Sequence, residues 1–196
     1  MTTYDPRVAL LVVDVQNDFA DPRGSLYVAG GEAVPAAVNA EIERAREAGA
    51  LVVYSQDWHP AETPHFKAQG GVWPVHCVGG TWGAEFHPDL DVAEDAVVLR
   101  KGTGGEDGYS VFTVRDPETG EEASTALERI LREHRVVRVV IAGLATDYCV
   151  KDTVLDARHK GFPVTVLNDA IRAVNLQPDD GARAEQQMRD AGAELV

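Results

Sequence analysis

The amino-acid sequence predicts an α/β protein, a three-layer sandwich with an open, mostly parallel central sheet and helices on both faces. Three observations lead there. Short apolar, β-branched runs recur along the 196 residues, stretches of helical period separate most of them, and glycines stand where those helices should end. Strands alternating with helices of this length form βαβ units.

The first strand is expected at Val8 to Val13, a wholly apolar run suited to burial on both faces. Val34 to Ala48 has helical period and Gly49 marks its end, and Leu51 to Tyr54 is the second strand. Trp58 to Asp91 holds much of the proline and glycine and no clear strand; so long an insertion invites a functional reading. Beyond it come a strand at Ala96 to Leu99, a helix at Ala123 to His134 and a strand at Val136 to Ala142. A helix at Asp147 to His159 stops at Gly161, a strand follows at Val164 to Leu167, and a helix at Asp179 to Asp190 stops at Gly192. Ala193 to Val196 could add a short last strand. No repeat, low-complexity tract or Pro/Ser-rich linker interrupts the chain, so residues 1–196 read as one domain carrying an insertion at about 58–91.

Composition narrows the function. A hydrophobic content of 44 % is enough for a proper core. The formal charge of −14 repels a phosphate backbone, so nucleic acid is not an expected partner; the acids are dispersed and read as a solvated surface. The longest apolar run is six residues and the N-terminal MTTYDPR lacks a signal-peptide core, which points to a cytoplasmic protein with no membrane partner. Two cysteines, Cys77 and Cys149, exclude a disulfide scaffold. A homo-oligomer is compatible with the sequence.

Ligands in open α/β sheets collect beyond the carboxyl ends of the strands. The polar residues that follow the apolar runs there are Asp14, Asp57, Lys101, Cys149 and Asp169. Cys149 lies just past a strand and Gly143, in the first turn of a helix that should start near Thr146 or Asp147. Unsatisfied N–H groups and a positive dipole end favour a thiolate there and offer donors to an oxyanion. The competing reading is a small core hydrophobe. Asp14 is a candidate base, against a turn role that Asp18 could share, and Lys101 could hold Asp14 and favour a thiolate, against a plain surface lysine.

Asp57 and His59 are two apart at a strand end and can face one ion, with His65 and His76 nearby inside the insertion. Mixed carboxylate and imidazole ligands suit a divalent transition metal, zinc first, with iron or manganese as alternatives. His87, His134 and His159 lack such company and are expected in solvent, and Cys77 is expected to be structural. Phe19, Trp73 and Tyr109 could wall a flat ring or simply pack in the core. A nucleotide-binding module, suggested by the glycines at 102, 104, 105 and 108, fails because Asp107 stands where G-x-G-x-x-G needs its third glycine.

Together, Asp14-Val-Gln-Asn-Asp-Phe19, Asp57-Trp-His59, Trp73-Pro-Val-His76-Cys77, Lys101-Gly-Thr and Gly143-Leu-Ala-Thr-Asp-Tyr-Cys149-Val carry a specific resemblance. From first strand to last the chain resembles the isochorismatase-like cysteine hydrolases, and within them the nicotinamidases, also called pyrazinamidases. The resemblance implies hydrolysis of nicotinamide to nicotinate and ammonia through a cysteine thioester in NAD salvage, with pyrazinamide also accepted. It implies an Asp14, Lys101 and Cys149 triad, a metal held by Asp57, His59 and His76 with His65 as fourth ligand, and a cis peptide at Leu144–Ala145 that turns the N–H groups of Ala145 and Cys149 toward an oxyanion. Similar members vary at His65 and in the loop from Gly102 to Tyr109. The alternative is a metal-free relative acting on another small amide or a vinyl ether, against which the Asp57, His59 and His76 set argues.

Overall fold

Val8–Val13 forms β1, buried along its whole length, in a computed structural model that describes residues 2–196. It pairs in parallel with β2 (Leu51–Asp57) on one side and with β6 (Arg138–Leu144) on the other. With β3 (Val97–Lys101), β7 (Val164–Arg172) and β8 (Glu194–Leu195), these make a six-stranded sheet of order β3-β2-β1-β6-β7-β8, parallel throughout. The strand order reverses between β1 and β6, so the crevice expected of an open α/β sheet opens beyond their carboxyl ends.

The two faces follow from the pleat. Val8, Leu10 and Val12 point into one apolar cluster with Val34, Val38 and Ile42 of α2 (Val34–Glu47), whereas Ala9, Leu11 and Val13 point into a second. That second layer contains Leu127 and Leu131 of α3 (Leu127–Glu133), Val154 and Ala157 of α4 (Lys151–His159), and Met188 of α5 (Asp180–Asp190). A four-residue α1 (Asn17–Ala20) follows β1. The predicted helix stops Gly49, Gly161 and Gly192 all adopt left-handed φ.

The observed elements differ from the expected ones chiefly at their ends. β2, β3 and β7 run beyond their apolar cores because polar residues keep pairing, as Asp57 does with Lys101 across β2 and β3, and β6 continues through Gly143 and Leu144. β7 continues through Asp169, whose side chain stays exposed, so Asp169 does not join the strand-end group. The helix expected from Ala123 begins only at Leu127: Glu122–Ser124 is instead β5, paired antiparallel with β4 (Thr113–Arg115). The Thr125 hydroxyl accepts the Leu127 N–H at 3.1 Å and marks the helix start. Residues 58–91 contain only two short 3₁₀ turns, Lys67–Gln69 and Trp82–Ala84. No described helix is long and apolar enough to cross a membrane.

Gly143 is where β6 meets β1. Its φ of 121° suits glycine alone, and a Cβ there would lie 2.0 Å from the Val13 carbonyl oxygen. Gly143→Ala should therefore lower stability by about 2–5 kcal/mol, from backbone strain and overpacking together. A urea midpoint shift at unchanged m-value measures this, and a variant within about 0.5 kcal/mol of the parent would contradict it.

Candidate active site

The carboxyl ends of β3, β2, β1 and β6 lie side by side, and each delivers one of the predicted polar residues. Asp14 leaves β1 in a left-handed conformation (φ 49°), which aspartate tolerates better than most residues. Its Oδ1 accepts the Ser55 hydroxyl at 2.6 Å and its Oδ2 lies 2.9 Å from Lys101 Nζ. Lys101 Nζ also ion-pairs with Asp57 Oδ1 and lies 3.5 Å from Cys149 Sγ. All four side chains are buried. A buried ammonium in contact with two carboxylates keeps its charge: against burial, which works to lower it, Asp14 and Asp57 hold Lys101 well above the ordinary lysine range.

The carboxylates separate in character. Burial pushes the Asp14 carboxyl up, whereas Asp57, despite the same burial, is held well below the usual range by Lys101 with help from His59 and His76. Burial likewise pushes the Cys149 thiol well up, with Lys101 pulling the other way. Desolvation of the sulfur thus opposes the helix-end effect that favours a thiolate, and Asp14 stands beside it as a carboxylate able to take the proton. The turn carrying Cys149 starts at Thr146 as expected, with a wide π turn (Thr146–Val150) leading into α4. Ala145 occupies the cap position without a side-chain cap; Asp147 instead accepts the N–H groups of Val174 and Asn175 at 2.9 and 2.8 Å. The Leu144–Ala145 peptide is cis, as the resemblance implies.

His59, His65 and His76 each offer a ring nitrogen, all within 4.8 Å of one another. Asp57 Oδ2 lies 3.8 Å from His59 Nε2 and 4.0 Å from His76 Nε2. His76 gives its Nδ1 proton to the Pro74 carbonyl (2.8 Å), and burial lowers its pKa to about 4, so a neutral ring presents Nε2. Both nitrogens of buried His59 lack a hydrogen-bond partner, an expensive condition that a metal ion relieves. The donor set therefore fits a divalent transition metal. Asp14, Asp57 and Cys149 also approach within 4.8 Å of one another, but the Lys101 ammonium already supplies the cation there.

Between these groups lies a narrow apolar cavity walled by Phe19, Trp73, Tyr109, Tyr148 and Val174, with Cys149, Asp57, His65 and His76 at its polar end. Trp73 Nε1 donates to the Tyr109 hydroxyl at 3.0 Å, and the Tyr148 ring meets Trp73 edge-on at 4.8 Å. Such aromatic walls can take a flat ring between them.

The isochorismatase domain family matches residues 8–196. The chain belongs to the isochorismatase family. It is 41 % identical to the nicotinamidase of Escherichia coli (strain K12) over 97 % of this chain and 94 % of that one. Among solved structures, the pyrazinamidase of Pyrococcus horikoshii in complex with zinc superposes with a TM-score of 0.86 at 43 % identity, covering 97 % of this chain and 99 % of that one. PnC1 from L. infantum in complex with nicotinate gives 0.88 at 37 % identity, covering 100 % and 95 %.

Within this isochorismatase-family site, every residue named from sequence as catalytic, metal-binding or ring-walling lies in or beside the cavity. Ser55, Gln16 and Tyr148 were missed. Gln16 donates to the carbonyls of Asp57 (2.7 Å) and Ala84 (2.9 Å) and accepts from Asp57 N–H (2.8 Å), fixing the Asp57 backbone against β1. Its signal was present in the Asp14 motif, whereas Ser55 looked like an ordinary strand residue. Asp18 takes the turn role, accepting from Ser25 N–H (2.9 Å) and Cys77 N–H (2.7 Å), and Cys77 is a core residue as expected. His134 and His159 are exposed as expected, but His87 is buried, accepting the Asp89 N–H at 3.2 Å in a turn folded against the core.

Lys101→Met leaves two buried carboxylates without their cation and should destabilise the fold by about 3–5 kcal/mol near neutral pH. Asp57, held low in the parent, contributes stability that is lost as pH falls through its folded pKa. Raised in the variant, it would instead lose stability as pH rises. Both signs make the deficit grow from acidic to neutral pH. Urea denaturation at two pH values measures it, and an equal deficit at both would contradict the electrostatic account.

Proposed function

We propose that this protein is a nicotinamidase that hydrolyses nicotinamide to nicotinate and ammonia, with nicotinate passing into NAD salvage. The observation that carries the reading is the meeting of Cys149, Asp14 and Lys101 at the polar end of a cavity walled by aromatic side chains. The relatives named nicotinamidase or pyrazinamidase, over nearly the whole chain, support it. We read residues 1–196 as one hydrolase domain, since both apolar clusters pack on a single sheet.

In the mechanism, Asp14 takes the Cys149 proton and Sγ attacks the carboxamide carbon, forming a C–S bond. The developing oxyanion is assigned to the backbone N–H groups of Ala145 and Cys149. The neighbouring donors of Tyr148 and Val150 already bond Ala145 O, at 3.1 Å each. As the C–N bond breaks, Asp14 protonates departing ammonia. Asp14 then takes a proton from water, whose oxygen displaces sulfur to give nicotinate, and returns that proton to Cys149. Lys101 keeps Asp14 oriented and offsets negative charge on sulfur throughout. Phe19, Trp73 and Tyr109 hold the ring flat.

Asp57, His59, His76 and His65 would hold the metal, for which zinc is our assignment on the donor set and on the zinc complex of the Pyrococcus relative. When bound, such an ion supplies one Lewis-acidic position for a ring nitrogen.

Cys149→Ala should abolish ammonia release while leaving the melting temperature nearly unchanged, and Asp14→Asn should be almost as damaging. Substantial turnover in either variant would reassign the chemistry. His59→Ala and His76→Ala should each copurify with far less zinc by elemental mass spectrometry, and His65→Ala with moderately less. Nicotinamide and pyrazinamide should both be substrates, whereas benzamide, lacking a ring nitrogen, should fall by about 10⁴-fold in kcat/KM. Comparable efficiency for benzamide would show that the site does not read the ring nitrogen.

A further inference from the structure

We propose that Asp107 is the positioning residue for His65: its carboxylate accepts the Nδ1–H of the imidazole and so fixes the tautomer that presents Nε2 to the metal. The inference rests on the metal reading above and adds a residue that neither the motifs nor the comparisons single out.

The three imidazoles are held differently. His76 is oriented by a backbone carbonyl, that of Pro74, which no side-chain substitution at another site removes. His59 leaves β2 directly, and its backbone is tied to Cys77 O at 2.9 Å and to Gly79 N–H at 2.9 Å. His65 instead belongs to the irregular stretch beyond β2, between exposed Pro64 and the Lys67–Gln69 turn, and its ring stacks on His59 at 4.8 Å. Stacking leaves both ring nitrogens open to either tautomer. What selects one is the 2.9 Å hydrogen bond from His65 Nδ1 to Asp107 Oδ1.

Asp107 is itself built into place. Its Oδ1 also accepts the Gly108 N–H at 2.8 Å, and its Oδ2 accepts Arg115 Nη2 at 3.0 Å. Its backbone pairs reciprocally with Arg115, at 2.7 Å in each direction, so the carboxylate is fastened to the β4–β5 hairpin. A carboxylate acceptor also makes the opposite ring nitrogen a better donor to a metal than a neutral acceptor would. The loop from Gly102 to Tyr109 thereby does more than place the Tyr109 ring: it orients one member of the ligand set from outside the insertion.

The test is zinc affinity of the metal-free, full-length chain, measured by competition with a chelating dye and therefore independent of turnover. Asp107→Ala should weaken zinc binding by about 10–100-fold. Asp107→Asn, which keeps an acceptor oxygen but loses the charge, should weaken it less. In a His65→Ala background the same Asp107→Ala change should alter affinity by no more than about twofold, because the residue acts through that ring. An unchanged affinity in Asp107→Ala, or an equal loss with His65 already removed, would overturn the proposal while leaving the metal reading intact. A parent protein that takes up no zinc would overturn both.

Discussion

A single buried ammonium organises this molecule. Lys101 Nζ lies among the Asp14 and Asp57 carboxylates and the Cys149 sulfur, and neither the ammonium nor the two carboxylates would be tolerable in that interior without their charge partners. Each comes from a different strand end, so the network closes only if β3, β2, β1 and β6 stand next to one another, in parallel and in one register. The order of the sheet and the chemistry at its edge are thus one constraint. The Cβ-free contact of Gly143 with Val13 belongs to it, because it sets how closely β6 approaches β1 just before the chain turns toward Cys149.

Asp57 joins two halves of the site. One oxygen meets Lys101 and the other faces His59 and His76, so a carboxylate that sequence reading assigns only to a metal is also part of the charge balance around the nucleophile. Its low proton affinity, set by Lys101 and the imidazoles, contrasts with the raised affinity of Asp14 one strand away. Two carboxylates of equal burial are thereby given different tasks: one stays ionised and holds cations, the other can accept and return a proton. The long segment after β2 lacks regular structure because its work is to carry His65, Trp73 and His76 to the mouth of the crevice, and its backbone is held by scattered bridges and by side chains such as Gln16 and Asp18.

Much of this was legible in the sequence. Val8–Val13 is buried on both faces because it is apolar at every position, and the alternation of such runs with helical stretches specifies a parallel sheet. The strand-end rule then places Asp14, Asp57, Lys101 and Cys149 together. It fails for Asp169, because β7 continues past its apolar core and turns that side chain outward. The hairpin of β4 and β5 was hidden because Ala123 and its neighbours have no apolar alternation and pair through the backbone alone. Ser55 and Asp107 were hidden for a related reason: each acts by one hydrogen bond to a partner about 40 residues away, which leaves no local spacing to read. The upward push on the Cys149 thiol comes from desolvation, a property of the folded environment, while the helix end that favours a thiolate is visible in the chain itself.

The most direct test of the account is to trap the covalent intermediate it requires. Turnover of nicotinamide in the presence of hydroxylamine, with parallel acid-quenched samples mapped by peptide mass spectrometry, should divert product to the hydroxamate and reveal a nicotinoyl group on the peptide containing Cys149. Hydrolysis of nicotinamide with no hydroxamate formed and no acyl group on Cys149 would contradict the account.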